Sequence, residues 1–322
     1  MEKTSISIKI KRTLKSTECA LLLFIVGFCI FVSILTENFL TAYNMSMVIR
    51  QISFTGIVAL GQTMVLLTGG IDLSVSSLAG FNGIMASKMM VEWGIDPYLS
   101  ILLGILSGAI IGLVSGLLIT KVKMIPFITT LAVQSIFYGA ILVITEGFTI
   151  SGLPKTVTWI GQESVLGIPI PILIFVVLAI VMAYILKYTP YGRRVYAVGG
   201  NASAATLVGI KTDRTITSVY VISGALASFA GILLCLRYGS GQPTVGETWV
   251  MPSITAGVLG GVSMTGGEGT ILGTVLGATL MGILSNAIVL VNISSYWEQV
   301  IIGFVVLLAV LLDLLRKRKR KV

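Results

Sequence analysis

KYTPYGRRVYAVGGNASAATLVGIKTDR, residues 187–214, is the longest polar interruption in a chain that is otherwise almost all hydrocarbon. It carries Lys187, Arg193, Arg194, Lys211 and Arg214. A short helix is expected at its centre. Asn201 follows Gly199-Gly200 and can cap a first turn through its side-chain oxygen, while Gly209 can close the far end in a left-handed conformation. Between these caps, Ala202–Val208 is small and mildly apolar, with Ala204, Ala205 and Leu207 available as a surface for another protein. A plain connecting loop with one helical turn is the simpler reading of the same residues.

Outward from this stretch, the chain is built for a bilayer. Of 322 residues, 55% are hydrophobic and 11% charged, and the mean hydropathy is +1.00. That exceeds what a globular core needs. Counting spans of ~20 apolar residues gives ten segments, near 19–36, 45–68, 75–93, 98–120, 126–145, 169–187, 215–236, 251–265, 269–291 and 297–314. Asn44 can cap the second. The expected fold is therefore an all-α polytopic membrane protein of about ten transmembrane helices. Its regions are a basic N-terminus (1–18), a first membrane half (19–187), the central loop (188–214), a second half (215–314) and a basic tail (315–322). Treating 45–93 as re-entrant gives eight spans with the same sidedness.

Charge sets the orientation. Among the 22 Lys and Arg, only Arg50, Lys88, Lys155 and Arg237 fall outside one alternating set of segments. The others, including Lys3, Lys9, Lys11, Arg12, Lys15, Lys121, Lys123 and the 316–321 tail, mark the cytoplasmic side. Both termini are expected there. The net charge of +9 is thus explained without nucleic acid, and the tail can also attract anionic lipid. Residues 1–18 are basic, and the following run lacks a small-residue cleavage site, so it reads as a first span. Five spans on each side of the loop admit a 5+5 inverted repeat, echoed by two Gly-rich breaks with one acid each, at 67–74 and 259–269.

The chemistry-bearing residues are few. Histidine is absent, which removes histidine relays, His-liganded metals and Ser-His or Cys-His pairs. The three cysteines lack metal spacing, and no GxxxxGK[ST] is present to hold ATP. No cofactor is expected. Asp72 lies at a helix break within the membrane, where a carboxylate usually has a partner or a task. It can cap the helix that follows or line a solute route. Gln51, Thr55 and Gln62 share one side of a helix, and Asn82 lies on the next. They suit a path for a neutral polyhydroxyl solute, though hydrogen bonds between helices are the simpler reading. Gly104, Gly108, Gly112 and Gly116 form one smooth face, for packing within the bundle or for a subunit interface.

Five blocks carry a resemblance: TGGIDLS (68–74), PFITTL (126–131), YGRRVYAVGGN…AA…GI (191–210), QPTVG (242–246) and GVLGGVSMTGGEG (257–269). In this order they resemble the permease subunits of monosaccharide ABC importers of the ribose/galactose/xylose type, within the branched-chain amino acid/sugar permease family, over about 40–314. The resemblance implies a permease homodimer or heterodimer on cytoplasmic ABC ATPase subunits, fed by an extracytoplasmic sugar-binding protein in the bacterial inner membrane. It makes 201–209 the coupling helix, preceded by Arg193 and Arg194, and gives Asp72 a place in the family's Gly-Ile-Asp-Leu-Ser signature. Relatives for autoinducer-2 and other small polar solutes share these blocks. One departure is visible: Val75-Ser76-Ser77 stands where the family usually has Val-Gly-Ser, which should stiffen the break. A self-contained secondary transporter with Asp72 as its ion site is the reading from another class.

Overall fold

A computed structural model describes residues 17–291, 293–294 and 296–320. Lys3, Lys9, Lys11, Arg12 and Lys15 lie outside the described residues. In chain order the helices are α1 (Thr17–Leu35), α2 (Ala42–Leu67), α3 (Val75–Val91), α4 (Pro97–Thr120), α5 (Pro126–Thr145), α6 (Lys155–Gln162), α7 (Ile170–Tyr188), α8 (Pro190–Gly200), α9 (Ala202–Leu207), α10 (Thr212–Tyr238), α11 (Val250–Leu259), α12 (Ile271–Leu290) and α13 (Tyr296–Arg320). Two ladders of two-residue strands interrupt the all-α expectation. Ile150–Ser151 pairs with Ser240–Gly241, and Ser164–Val165 pairs with Ile168–Pro169 across Leu166-Gly167, both at positive φ.

Among the described residues, seven helices are long and apolar enough to cross a membrane: α1, α2, α4, α5, α7, α10 and α12. The segment expected at 251–265 is shorter than a span, because α11 ends at Leu259 and Gly260–Thr270 is non-helical. At 1.5 Å per residue, its ten residues reach only ~15 Å.

The helices sort by burial. α2 and α10 form the centre, with buried residues on nearly every face. Around them, α1, α4, α5 and α7 turn leucine, isoleucine and valine outward; Leu106, Ile110, Val143, Val177 and Ile180 are all exposed. An apolar exterior around a packed centre is the arrangement a lipid solvent stabilises. The two halves interlock rather than pack separately, since α10 lies against α2, α3 and α4, while α12 and α11 lie against α2.

Local chemistry explains the boundaries. α4 begins where Asp96 accepts from the Leu99 amide (3.0 Å) with Pro97 in the first turn; α8 opens the same way with Thr189 and Pro190, while α5 opens on Pro126 without a side-chain cap. The cap of α2 is Thr41, which accepts from the Asn44 amide, and not Asn44 as the sequence suggested. Asn44 instead exchanges two amide hydrogen bonds with Asn286 of α12, at 3.0 and 2.8 Å. This half-buried carboxamide pair satisfies both residues and ties the two helices in register.

The glycine face of α4 is an internal contact. A Cβ on Gly108 would meet Ser228 and the Gly224 carbonyl, one on Gly112 the Tyr220 carbonyl, and one on Gly116 Thr217 Cα at 2.8 Å; Gly104 abuts Ile232 at 2.7 Å. All five of these partner residues belong to α10. The face is thus filled from within the same chain.

Candidate functional site

The segment 68–74 ends α2 and launches α3. Asp72 is only 2% exposed. Its Oδ1 accepts from the Ser74 amide (3.0 Å) and the Ser74 hydroxyl (2.6 Å), and its Oδ2 accepts from Ser223 Oγ of α10 (2.8 Å). Gln62 grips the same residue's backbone, donating to the Asp72 carbonyl at 3.0 Å and accepting from its amide at 3.2 Å. The Asp72 backbone and carboxylate thus pin the break to α2 and α10, and Thr130 of α5 donates to the Ile71 carbonyl at 3.3 Å. Ser76 sits in the regular first turn of α3 and accepts from Gln134 Nε2 at 3.2 Å. Asn82 donates to the Leu78 carbonyl and to Ser228 Oγ (2.8 Å), joining α3 to α10.

Three glycine pairs meet beside this break. Gly69-Gly70 ends α2, Gly199-Gly200 ends α8, and Gly266-Gly267 lies in the loop between α11 and α12. The Gly267 amide donates to the Leu67 carbonyl at 2.9 Å. A Cβ on Gly199 would strike that carbonyl and reach within 2.5 Å of the Gly267 nitrogen, and one on Gly266 would lie 2.8 Å from the Gly69 nitrogen. Backbone thus touches backbone in three directions, which only glycine permits. Tyr196 of α8 adds a lateral tie, donating from Oη to the Gly269 carbonyl at 2.8 Å. Burial raises the phenol's pKa, keeping it protonated as a donor.

Beyond the junction, α8 leads straight into α9. Asn201 Oδ1 accepts from the Ala204 amide at 2.9 Å, and Gly209 takes φ +83 as the Ile210 amide closes onto the Ala205 carbonyl. Ala204 is exposed, but Ala205 is buried against the bundle and is not part of an outward face. The outward apolar tip is Leu207 (88% exposed) with Val208 (77% exposed). Exposed Arg193 and Arg194 lie one helix back. Val208 lay within the apolar stretch 202–208 read from the sequence but was not singled out there.

A cavity of about 980 Å³ runs between α2, α5, α11, α12 and α13, and a second of about 360 Å³ shares Gln134 and Glu247 with it. Gln51 and Thr55 line the larger one, while Gln62, Asp72 and Asn82 lie within the helix packing described above. Gln134, Glu247, Ser285, Glu298 and Gln299 join them there, beside Trp249 and Phe127. Polar residues such as Gln134 inside an apolar span were the available signal for these. This is a concave wall of amides, hydroxyls and carboxylates with flat aromatic surface, of a size that small-molecule sites use.

The matched family model is described as the branched-chain amino acid transport system / permease component, and it covers residues 44–310. The chain belongs to this family of transport permeases. Among its relatives, the ribose import permease protein RbsC of Bacillus subtilis (strain 168) is 44% identical over 286 residues, 88% of each chain. The protein of the same name from Escherichia coli (strain K12) is 38% identical over 88% of this chain and 89% of its own. The fructose import permease protein FrcC of Rhizobium meliloti is 33% identical over 95% of this chain and 88% of its own. No solved structure matches this chain significantly.

Proposed function

We propose that this chain is the membrane permease subunit of an ABC importer for a monosaccharide or a related small polar solute. It would work as a homodimer or heterodimer with cytoplasmic ATPase subunits and an extracytoplasmic sugar-binding protein, in the bacterial inner membrane. The observation that carries the reading is the pairing of a polar, aromatic-walled groove with an apolar-tipped short helix at the end of a rigid glycine junction. The import permeases of ribose and fructose among its relatives support the sugar class.

In this reading α1–α5, α7, α10, α12 and α13 cross the membrane, and α11 together with its flanking loops makes a tenth passage, with both termini cytoplasmic, as the distribution of Lys and Arg favours. Closure of the ATPases displaces α9 through Leu207 and Val208, with Arg193 and Arg194 meeting acidic groups nearby. Because α8 joins α9 directly, the displacement reaches the junction of Gly199 with Leu67 and Gly267. Both breaks then shift together, and the groove changes which side it opens to. Solute moves past Gln51 and Thr55 during that change, while the energy comes from the partner. The facilitator alternative needs Asp72 free to bind an ion, whereas its oxygens are engaged by Ser74 and Ser223.

The test is uptake of labelled D-ribose into proteoliposomes carrying the permease, its ATPase and its binding protein. Uptake should require all three components and ATP. Uptake by the permease alone, abolished by collapsing an ion gradient, would overturn the proposal.

A further inference from the structure

The four bases on the non-cytoplasmic set of segments are all accounted for away from the groove. Arg50 Nη1 donates to the Gln162 carbonyl at 2.6 Å and its Nη2 to Ser164. Lys88 pairs with Glu92 at 2.6 Å. Arg237 lies against Met47 and the Phe54 ring, and Lys155 is exposed on α6. No lysine or arginine lines either cavity. Two carboxylates do, Glu247 and Glu298. Among the described residues neither forms an ion pair, and no side-chain hydrogen bond holds either carboxylate.

Each acid stands at a helix start. Glu247 precedes α11, whose first turn (Val250, Met251, Pro252) lines the groove without a side-chain cap. Glu298 is in the first turn of α13. A helix start contributes about +0.5 charge, so two of them against two carboxylates leave the groove negative by about one charge. The uncapped amides of Val250 and Met251 supply hydroxyl-binding donors, the glutamates and carboxamides supply acceptors, and no group supplies a full positive charge. A sugar phosphate or a sugar acid brings a net negative charge, and the two unpaired carboxylates it faces outweigh the two helix starts.

We infer that this groove selects by charge, passing uncharged polyhydroxyl solutes and rejecting anionic ones, with Glu247 and Glu298 as the specificity-determining residues. The inference rests on the proposed function and narrows its solute class to non-phosphorylated, non-carboxylated sugars.

The test reads the field in the groove directly. Ser285→Cys places a thiol on its wall, and the full-length permease in proteoliposomes is treated with cationic or anionic methanethiosulfonate reagents of similar size. The parent chain, whose Cys19, Cys29 and Cys235 remain, sets the background. After correction for reactivity with a free thiol, the cationic reagent should react about tenfold faster, the lower end of what a focused field does to local ion concentration. Adding Glu247→Gln and Glu298→Gln leaves only the two helix starts and should bring the ratio to one or below, and raising the salt to molar levels should bring it to about one. A ratio at or below one in the Ser285→Cys protein, or a ratio the glutamine pair leaves unchanged, overturns the inference. Failure of D-ribose uptake by the assembled complex would instead overturn the proposed function and leave the reagent ratio readable.

Discussion

Gly199 and Gly200 are neighbours in sequence with opposite surroundings, and that contrast makes a sharp test of the glycine junction. Alanine at 199 would push its methyl into the Leu67 carbonyl and to 2.5 Å from the Gly267 nitrogen. Both are backbone atoms that no rotamer change can move. The methyl would also lie across the 2.9 Å bond from Gly267 to Leu67, so α8 must withdraw by about an ångström. Overpacking of this kind costs about 1–3 kcal/mol, and the lost hydrogen bond adds about 1 kcal/mol. Gly200→Ala meets nothing within 4 Å and should be nearly neutral. Thermal unfolding of each variant in the same detergent measures the difference: Gly199→Ala should unfold several degrees lower, and Gly200→Ala within about one degree of the parent. In the assembled complex, Gly199→Ala should keep ATP hydrolysis while losing most solute uptake per ATP. If the two variants behaved alike in both assays, the junction would be neither tight nor a route of coupling.

Further expectations follow from single contacts. Leu207→Asp with Val208→Asp should abolish co-purification of the ATPase subunits while leaving insertion and unfolding of the permease unchanged; full recovery of the complex would remove α9 as the docking element. Gly108→Ala should destabilise the bundle by about 1–3 kcal/mol without altering the permease's oligomeric state in light scattering, because its partner is α10. Asp72→Ala would leave the Ser74 and Ser223 hydroxyls unpaired at a buried break and should cost about 3 kcal/mol in unfolding, whereas an ion-coupled role would instead show as a changed ion dependence of uptake. Tyr196→Phe should cost about 1 kcal/mol at neutral pH. Since burial raises the folded-state pKa of this phenol, its stabilisation is fully present below the ordinary tyrosine pKa of about 10 and fades as pH rises above it. The gap in melting temperature between parent and variant should therefore hold at pH 7–9 and shrink in more alkaline buffer.

Hydropathy was enough to read the membrane class and most helix positions, because these depend on local composition. The caps of α9 were equally legible: Asn201 and Gly209 act on backbone only three or four residues away. Three things were decided by tertiary structure alone. The sequence could not show that the glycines of α4 face α10, since a smooth helix face looks the same whether its partner lies in the same chain or another. Nor could it tell that Gln51 opens on the groove while Gln62, on the same helix, is spent on the Asp72 backbone, because the difference lies in which distant segment covers each turn. And Glu247, Glu298 and Gln134 come from a loop and two separate helices, so their shared wall, like the meeting of Gly69, Gly199 and Gly267, exists only once the two halves of the chain have interlocked.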